Sequence, residues 1–451
     1  MTDTQLIEKL IAQVKVLTER VLELEAKLSK YENKKNSSNS SVPPSQDPFR
    51  KPKSLRVKSN NPQGGQKGHD GSKLKMVSTP DAIEVHDVNH CDCCGNRLAT
   101  NSQSYTSRQV FDIPTIRMQV TEHRRLNKAC LHCGKLNTGI FPKEITAETQ
   151  YGNTLKSLCV YLQNYHMLPY ARCKEFINDL TGHCISTGSL SNFQKQCVAN
   201  LQDYQSQIKQ QLLQSPVLHA DETGVRLNGK NSWMHVISNK TISFFAHHLN
   251  RGRQAMDEIG LLERYKGTLI HDRFSSYFAY GCGHSLCNAH ILRDLIYVEE
   301  TFNANWAKQV RKLLIDAKQD REKNPNLKAS YYSKVFNNYA CFIRPIIKNY
   351  DKTFKKTDEQ RLAFALEKHK YKCLKFIKNP NIPFDNNQAE RDLRMIKVKQ
   401  KVSGCFRAKT HVAYFACIRG YISTLKKNKA FVLENIKNVF LENPFIPVTA
   451  E

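Results

Sequence analysis

At 451 residues the chain is long enough for two to four domains with a substantial core. Its 68 Lys and Arg against 41 Asp and Glu leave a formal charge of +27, which points to a polyanionic partner, nucleic acid ahead of an anionic membrane surface. The lack of any apolar run of about 18 residues excludes a transmembrane helix, and the charged amino terminus has no signal-peptide core, so the protein is expected in the cytoplasm, with its fifteen cysteines as thiols and metal ligands and not disulfides.

Residues 1–34 read as a pairing helix. Ile7, Val14, Val21 and Leu28 recur every seven residues, and Leu10, Leu17, Leu24 and Tyr31 follow each by three. Mostly β-branched residues at a with Leu at d favour a parallel two-stranded coiled coil, so a homodimer or higher oligomer is expected. The alternative is an amphipathic helix folded back on the protein's own core. Residues 35–85 form a basic linker. Asn36 to Ser45 is poor in apolar residues and is expected to be disordered alone. Arg50 to Lys75 then carries eight basic residues, Lys67 among them, and one acid, Asp70. Such a segment can track phosphates, or serve as a solubilising spacer. The Gly-rich stretch from Gly64 to Gly71 does not follow a strand and is no P-loop.

Residues 86–142 read as a small zinc-binding module. Cys91-Asp-Cys-Cys94-Gly95 is answered by Cys130-Leu-His-Cys133-Gly134. Two C-x-x-C-G knuckles offer four thiolates to one closed tetrahedral Zn2+ site, Cys91, Cys94, Cys130 and Cys133. Cys93 could compete, but Cys91 and Cys94 match the spacing of the second knuckle. Strands are expected at Ser104 to Phe111 and Met118 to His123. Arg124 and Arg125 are candidate DNA contacts.

Residues 150–215 are helical. A stripe of Leu155, Leu158, Tyr161 and Leu162, a Gly turn at Gly182 and a capped start at Ser186 fit a helix-turn-helix or a plain helical hairpin. Residues 216–400 begin with strands Val217 to Ala220, Trp233 to Ser238 and Thr241 to His247. A helix from Arg253 to Leu262, a strand from Thr268 to Asp272, and a possible fifth strand from Ser285 to Asn288 follow. A helix then opens near Ala289. Residues 301–380 are Lys-rich with helical spacing and read as an insertion before the last helix of this domain. Residues 401–451 are closing helices, Val412 to Leu425 and Val432 to Phe440.

Three acidic blocks carry the chemistry. They are His219-Ala-Asp221-Glu-Thr-Gly224, Leu269-Ile-His-Asp272-Arg-Phe-Ser-Ser-Tyr277, and Asp385-Asn-Asn-Gln-Ala-Glu390-Arg-Asp-Leu-Arg394. Each Asp follows a short apolar run with strand character, and Glu390 sits where a helix should begin. Three carboxylates so placed can converge to hold two Mg2+ ions roughly 4 Å apart for displacement at phosphorus. Glu222 is a poorer ligand, since successive strand residues face opposite sides.

These blocks resemble the DDE transposases of the insertion sequence 66 family, whose blocks look like H-x-D-E-T, H-D-x-x-x-x-Y and D-N-N-x-A-E-R. The resemblance implies that Asp221, Asp272 and Glu390 are the catalytic triad, with Mg2+ or Mn2+ as cofactor. It implies an α+β multidomain chain with an RNase H-like catalytic domain, and transposon ends and target DNA as partners. The amino-terminal zipper and the wording of the basic linker also match the family. Cys282, His284, Cys287 and His290 have the look of a second zinc site, but the family carries a C-x-A-H block there. On that resemblance His290 and Arg293 sit near the active site, on phosphate or beside a carboxylate. Arg391, Arg394 and Lys397 follow Glu390 and are candidates for holding the DNA backbone. A catalytically silent zinc-containing DNA-binding protein and a structure-specific nuclease are the alternatives.

Overall fold

The computed structural model describes residues 7, 10–18, 20–21, 24, 74–100 and 104–448. The basic linker of residues 35–73, with Lys67, lies outside the described residues, as does much of the heptad stretch. The chain divides into two units, Lys51–Thr121 with Leu180–Gly182, and the remainder, Met1–Arg50, Glu122–Asp179 and His183–Glu451.

In the smaller unit the described residues form no strand, so the strand expected at Ser104 to Phe111 does not form. Its ordered feature is the first cysteine knuckle, with an isolated bridge between His90 and Arg97.

The larger unit opens with helical residues 10–18, whose seam side chains Leu10, Val14 and Leu17 are exposed. No strand forms over Met118 to His123. Strands β1 (Asn127–Ala129) and β2 (Leu136–Thr138) pair as a hairpin around the second knuckle. Four helices follow: α1 (Asn153–Asn164), α2 (Tyr170–Thr181), α3 (Thr187–Asn200) and α4 (Gln202–Gln214). Ser186 caps α3 as expected, its hydroxyl accepting the Ser189 N–H at 3.0 Å. Cys159, Ile177, Leu190, Tyr204 and Ile208 bury these helices in one core with the sheet.

The sheet contains β3 (Val217–Leu227), β4 (Lys230–Ser238), β5 (Ser243–His248), β6 (Thr268–His271) and β7 (Gly283–Leu286), with α5 (Arg253–Ile259) between β5 and β6. Its order is β5-β4-β3-β6-β7, so the first and fourth strands are neighbours. β3 is far longer than the Val217 to Ala220 expected. Asn228 and Gly229 both take positive φ, 49° and 75°, and make the two-residue turn that joins it to β4.

Helices α6 (Asn288–Phe302), α7 (Asn305–Lys323), α8 (Ala329–Lys348), α9 (Asp358–Lys368), α10 (Lys370–Cys373) and α11 (Lys375–Lys378) follow. The expected insertion is thus helical, with its own core of Trp306, Val310, Leu314, Tyr339, Ile343 and Phe376. Helix α12 (Asn387–Ser403) returns to the sheet. Its Ala389, Leu393 and Ile396 pack on Val225, Met234 and Val236, and burying each large apolar side chain contributes roughly 1.5–3 kcal/mol. Helices α13 (Lys409–Lys427) and α14 (Val432–Phe440) close the chain. All fifteen cysteines are free thiols. No helix among the described residues is long and apolar enough to cross a membrane.

Candidate active site

β3 and β6 run parallel in the register Val217 to Thr268, Leu218 to Leu269 and His219 to Ile270. Continued two residues, that register sets Asp272 abreast of Asp221, and adjacent strands lie about 4.8 Å apart. Asp221 is not at the end of its own strand. It sits where β6 stops and the β3–β4 hairpin runs on alone. Each carboxylate is steadied by a nearby backbone N–H, Glu222 to Asp221 Oδ1 at 2.9 Å and Phe274 to Asp272 Oδ1 at 2.8 Å.

The third carboxylate is delivered by Asn386. This buried side chain donates to the Ala220 carbonyl at 2.9 Å and accepts from His219 Nδ1 at 2.8 Å. Its backbone N–H reaches Cys287 Sγ at 3.1 Å. Asp385 Oδ1 accepts the Asn387 N–H and starts α12, whose first turn holds Glu390. Further along, Asp392 accepts from Lys427 Nζ at 2.8 Å, Ser423 Oγ at 3.0 Å and Ser243 Oγ at 3.1 Å. The helix bearing Glu390 is therefore fastened at both sides of that residue. The roles of His219, Asn386 and Asp392 were missing from the sequence reading, although all three stand in the quoted blocks beside the acids.

Burial, then repulsion from Glu222, Asp272 and Glu390, pushes Asp221 well above the usual carboxylate range. Burial also raises Glu390, with Asp385 and Asp272 pushing up and Arg293 and Arg394 pulling down. All-oxygen donors suit Mg2+ or Mn2+, and such an ion would relieve this repulsion. The oxygens of Asp221, Asp272 and Glu390 do not, however, all come within 4.8 Å of one another; among the described residues Glu390 is grouped instead with Cys287 and His290.

Glu222 lies close enough to repel Asp221 and Asp272, although alternation along the strand made it the poorer ligand candidate, and it has partners of its own. It is buried, and its Oε1 receives Arg251 Nε at 2.8 Å, while Tyr277 Oη donates to Oε2. Arg251 lies over the rings of Phe274 and Trp233, 4.3 and 4.9 Å from their centroids. The first acidic block is thereby clasped to the segment that follows Asp272.

The two cysteine knuckles have the same backbone form. Gly95 N–H bonds Cys91 O and Cys91 N–H bonds Asn96 O, both at 2.9 Å; Gly134 to Cys130 and Cys130 to Lys135 repeat this at 2.8 Å. The flanking pairs also correspond, His90 with Arg97 and Ala129 with Leu136. Both glycines take φ near +71°, which only glycine adopts without strain. Backbone N–H groups aimed at Cys91 and Cys130 lower both thiols, which readies them as thiolate ligands. The knuckles fall in different units, and each by itself offers a pair of thiols of the kind zinc takes.

Residues 148–413, more than half the chain, match the family model described as Transposase IS66 family. The chain belongs to the IS66 transposase family. The zinc-finger binding domain of transposase IS66 matches residues 89–134, across both knuckles, and suggests zinc. A family of unknown function, DUF6444, matches residues 3–75. Nothing among the curated proteins matches. Among solved structures, one chain of the cryo-EM structure of a simian T-cell lymphotropic virus intasome in complex with PP2A regulatory subunit B56 gamma is 13% identical. That match covers 46% of this chain and 74% of the other at a TM-score of 0.15, too low to carry an argument.

As an IS66 transposase the protein acts on DNA, and the basic candidates fall in different settings. Arg293 Nη2 and His290 Nδ1 each lie 3.7 Å from Glu390 Oε1. Arg391 and Arg394 are exposed on α12. Lys397 instead donates to the Gly224 carbonyl at 2.6 Å. Arg124 is exposed and paired with Glu122 at 2.8 Å, and Arg125 lies 5.5 Å from the Phe141 ring centroid.

Proposed function

We propose that this IS66 transposase cuts the ends of its element and joins them to target DNA at Asp221, Asp272 and Glu390. The observation that carries the reading is the β3–β6 register, which aligns the two aspartates under the first turn of α12. An RNase H-like catalytic domain, interrupted by the helical insertion, is the fold this reading adopts, and the strand order supports it. Two divalent ions, when bound, would supply the charge that polarises the scissile phosphodiester and acidifies the attacking oxygen. The three carboxylates hold that charge in place, and His219 and Asn386 fix Glu390 against the aspartates. Water adds to phosphorus as the bond to the 3′ oxygen breaks, leaving a 3′-hydroxyl and a 5′-phosphate. That hydroxyl then attacks a target phosphodiester and displaces its 3′ oxygen. Arg391, Arg394 and Arg293 are placed to neutralise the strand during both steps.

Cys91, Cys94, Cys130 and Cys133 are the thiolate ligands this reading gives to structural Zn2+, and Arg124 and Arg125 follow in sequence as phosphate contacts. The basic linker with Lys67 adds charge along the DNA. The heptad helix pairs two copies, which suits the need to bring two element ends together in the cytoplasm. The test is incubation with candidate element ends, a target plasmid and Mg2+. Cut ends joined to target in the wild type, with Asp272→Asn binding the ends but joining none, support the reading. Nicking without joining would leave a nuclease, and binding without cutting a silent DNA-binding protein.

A further inference from the structure

Cys287, His290 and Glu390 bring a sulfur, an imidazole nitrogen and a carboxylate oxygen within 4.8 Å of one another. Cys287 and His290 straddle the start of α6, three residues apart, and Glu390 comes from the first turn of α12. His290 Nδ1 and Glu390 Oε1 are both closed to solvent, and neither has a hydrogen-bond partner. They face each other at 3.7 Å, too far for a hydrogen bond. Ligands on one tetrahedral zinc-sized ion, with bonds of about 2.0–2.3 Å, stand roughly 3.3–3.7 Å apart. Arg293 Nη2, also at 3.7 Å from Oε1, does not satisfy that oxygen either. The buried Cys287 sulfur is oriented by the Asn386 N–H at 3.1 Å, while burial pushes the thiol up to about 12.

We propose that Cys287, His290 and Glu390 form a site for a borderline-soft transition metal of zinc's class, separate from the four-cysteine site and sharing Glu390 with the carboxylate triad. Thiolate, imidazole and carboxylate together match zinc and cobalt and are foreign to magnesium. Cys282 and His284 stay outside the group. An ion held there would draw one oxygen of Glu390 away from the aspartates, so zinc-class ions would oppose Mg2+-dependent cutting. The binding site itself does not depend on the strand-transfer reading, which stands or falls on the joining assay.

The test uses the full chain, purified with its zinc, and titrated with Co2+ while sulfur-to-metal charge-transfer absorption is followed. One added equivalent with a thiolate band is expected for the wild type. Cys287→Ser should abolish the band, His290→Ala should weaken Co2+ binding at least tenfold, and Cys282→Ser should leave both unchanged. Should Cys287→Ser fail to fold, Glu390→Gln at a partly exposed position must weaken the same band. No added equivalent in the wild type, or the same band in Cys287→Ser or Glu390→Gln, overturns the proposal.

Discussion

Replacing Asn386 with alanine cuts the joint between the third acidic block and the first strand. Two buried partners are stranded: the Ala220 carbonyl, bonded at 2.9 Å, and His219 Nδ1, bonded at 2.8 Å. Leaving a buried polar group unpaired costs about 1–3 kcal/mol, so the pair together should cost roughly 2–4 kcal/mol once some water enters. A domain stable by about 5–15 kcal/mol survives that loss and still folds. Urea unfolding followed by Trp fluorescence should show a lower midpoint with an unchanged slope. Cutting of element ends should fall further than DNA binding, because Glu390 loses its tether. The exposed neighbour supplies the control, and Asn387→Ala should stay within about 0.5 kcal/mol. An Asn386→Ala midpoint equal to wild type, with cutting intact, would refute the idea that this side chain seats Glu390.

Asp221 is held above its usual range by burial and by neighbouring acids, so Asp221→Asn should raise the melting temperature while abolishing cutting; a lower melting temperature contradicts the repulsion argument. His247 is pushed down to about 4, by burial first and then by Lys409 and His248. Its native form binds fewer protons than the unfolded chain, so the stability it contributes is whole above pH 6.5 and is lost as pH falls toward 4. The melting-temperature gap between wild type and His247→Gln should therefore close across that window, and a constant gap would sink the assignment. A strong chelator should release zinc and expose four further thiols to a disulfide reagent, with the large helical and sheet core intact by circular dichroism. Gly134→Ala, at φ of +72°, should lower the chelator concentration needed.

The sequence reading located the acidic residues but drew the strand around Asp221 too short. Asp221, Glu222 and Gly224 have low β-propensity, and only pairing to His235, Val236 and Trp233 on β4 keeps them extended. The Asn228-Gly229 turn was a usable signal for that longer hairpin. The adjacency of β3 and β6 could be expected only through the RNase H-like fold that the family resemblance implies. Strands at Ser104 to Phe111 and Met118 to His123 were expected because the gap between the knuckles has room for them, yet no strand forms there. His219 and Asn386 could not be matched from sequence, because a hydrogen bond across 167 positions leaves no local trace.

The distance along the chain between the aspartates and their glutamate has a consequence for how the molecule is made. The sheet holding Asp221 and Asp272 can close once residue 286 has been synthesised. Glu390 is seated only after Asn386 has met His219, and its helix is made fast when Asp392 meets Lys427, some 140 residues later, the intervening helices having their own core. A growing polypeptide therefore holds its two aspartates side by side for more than a hundred residues of synthesis before the glutamate is made.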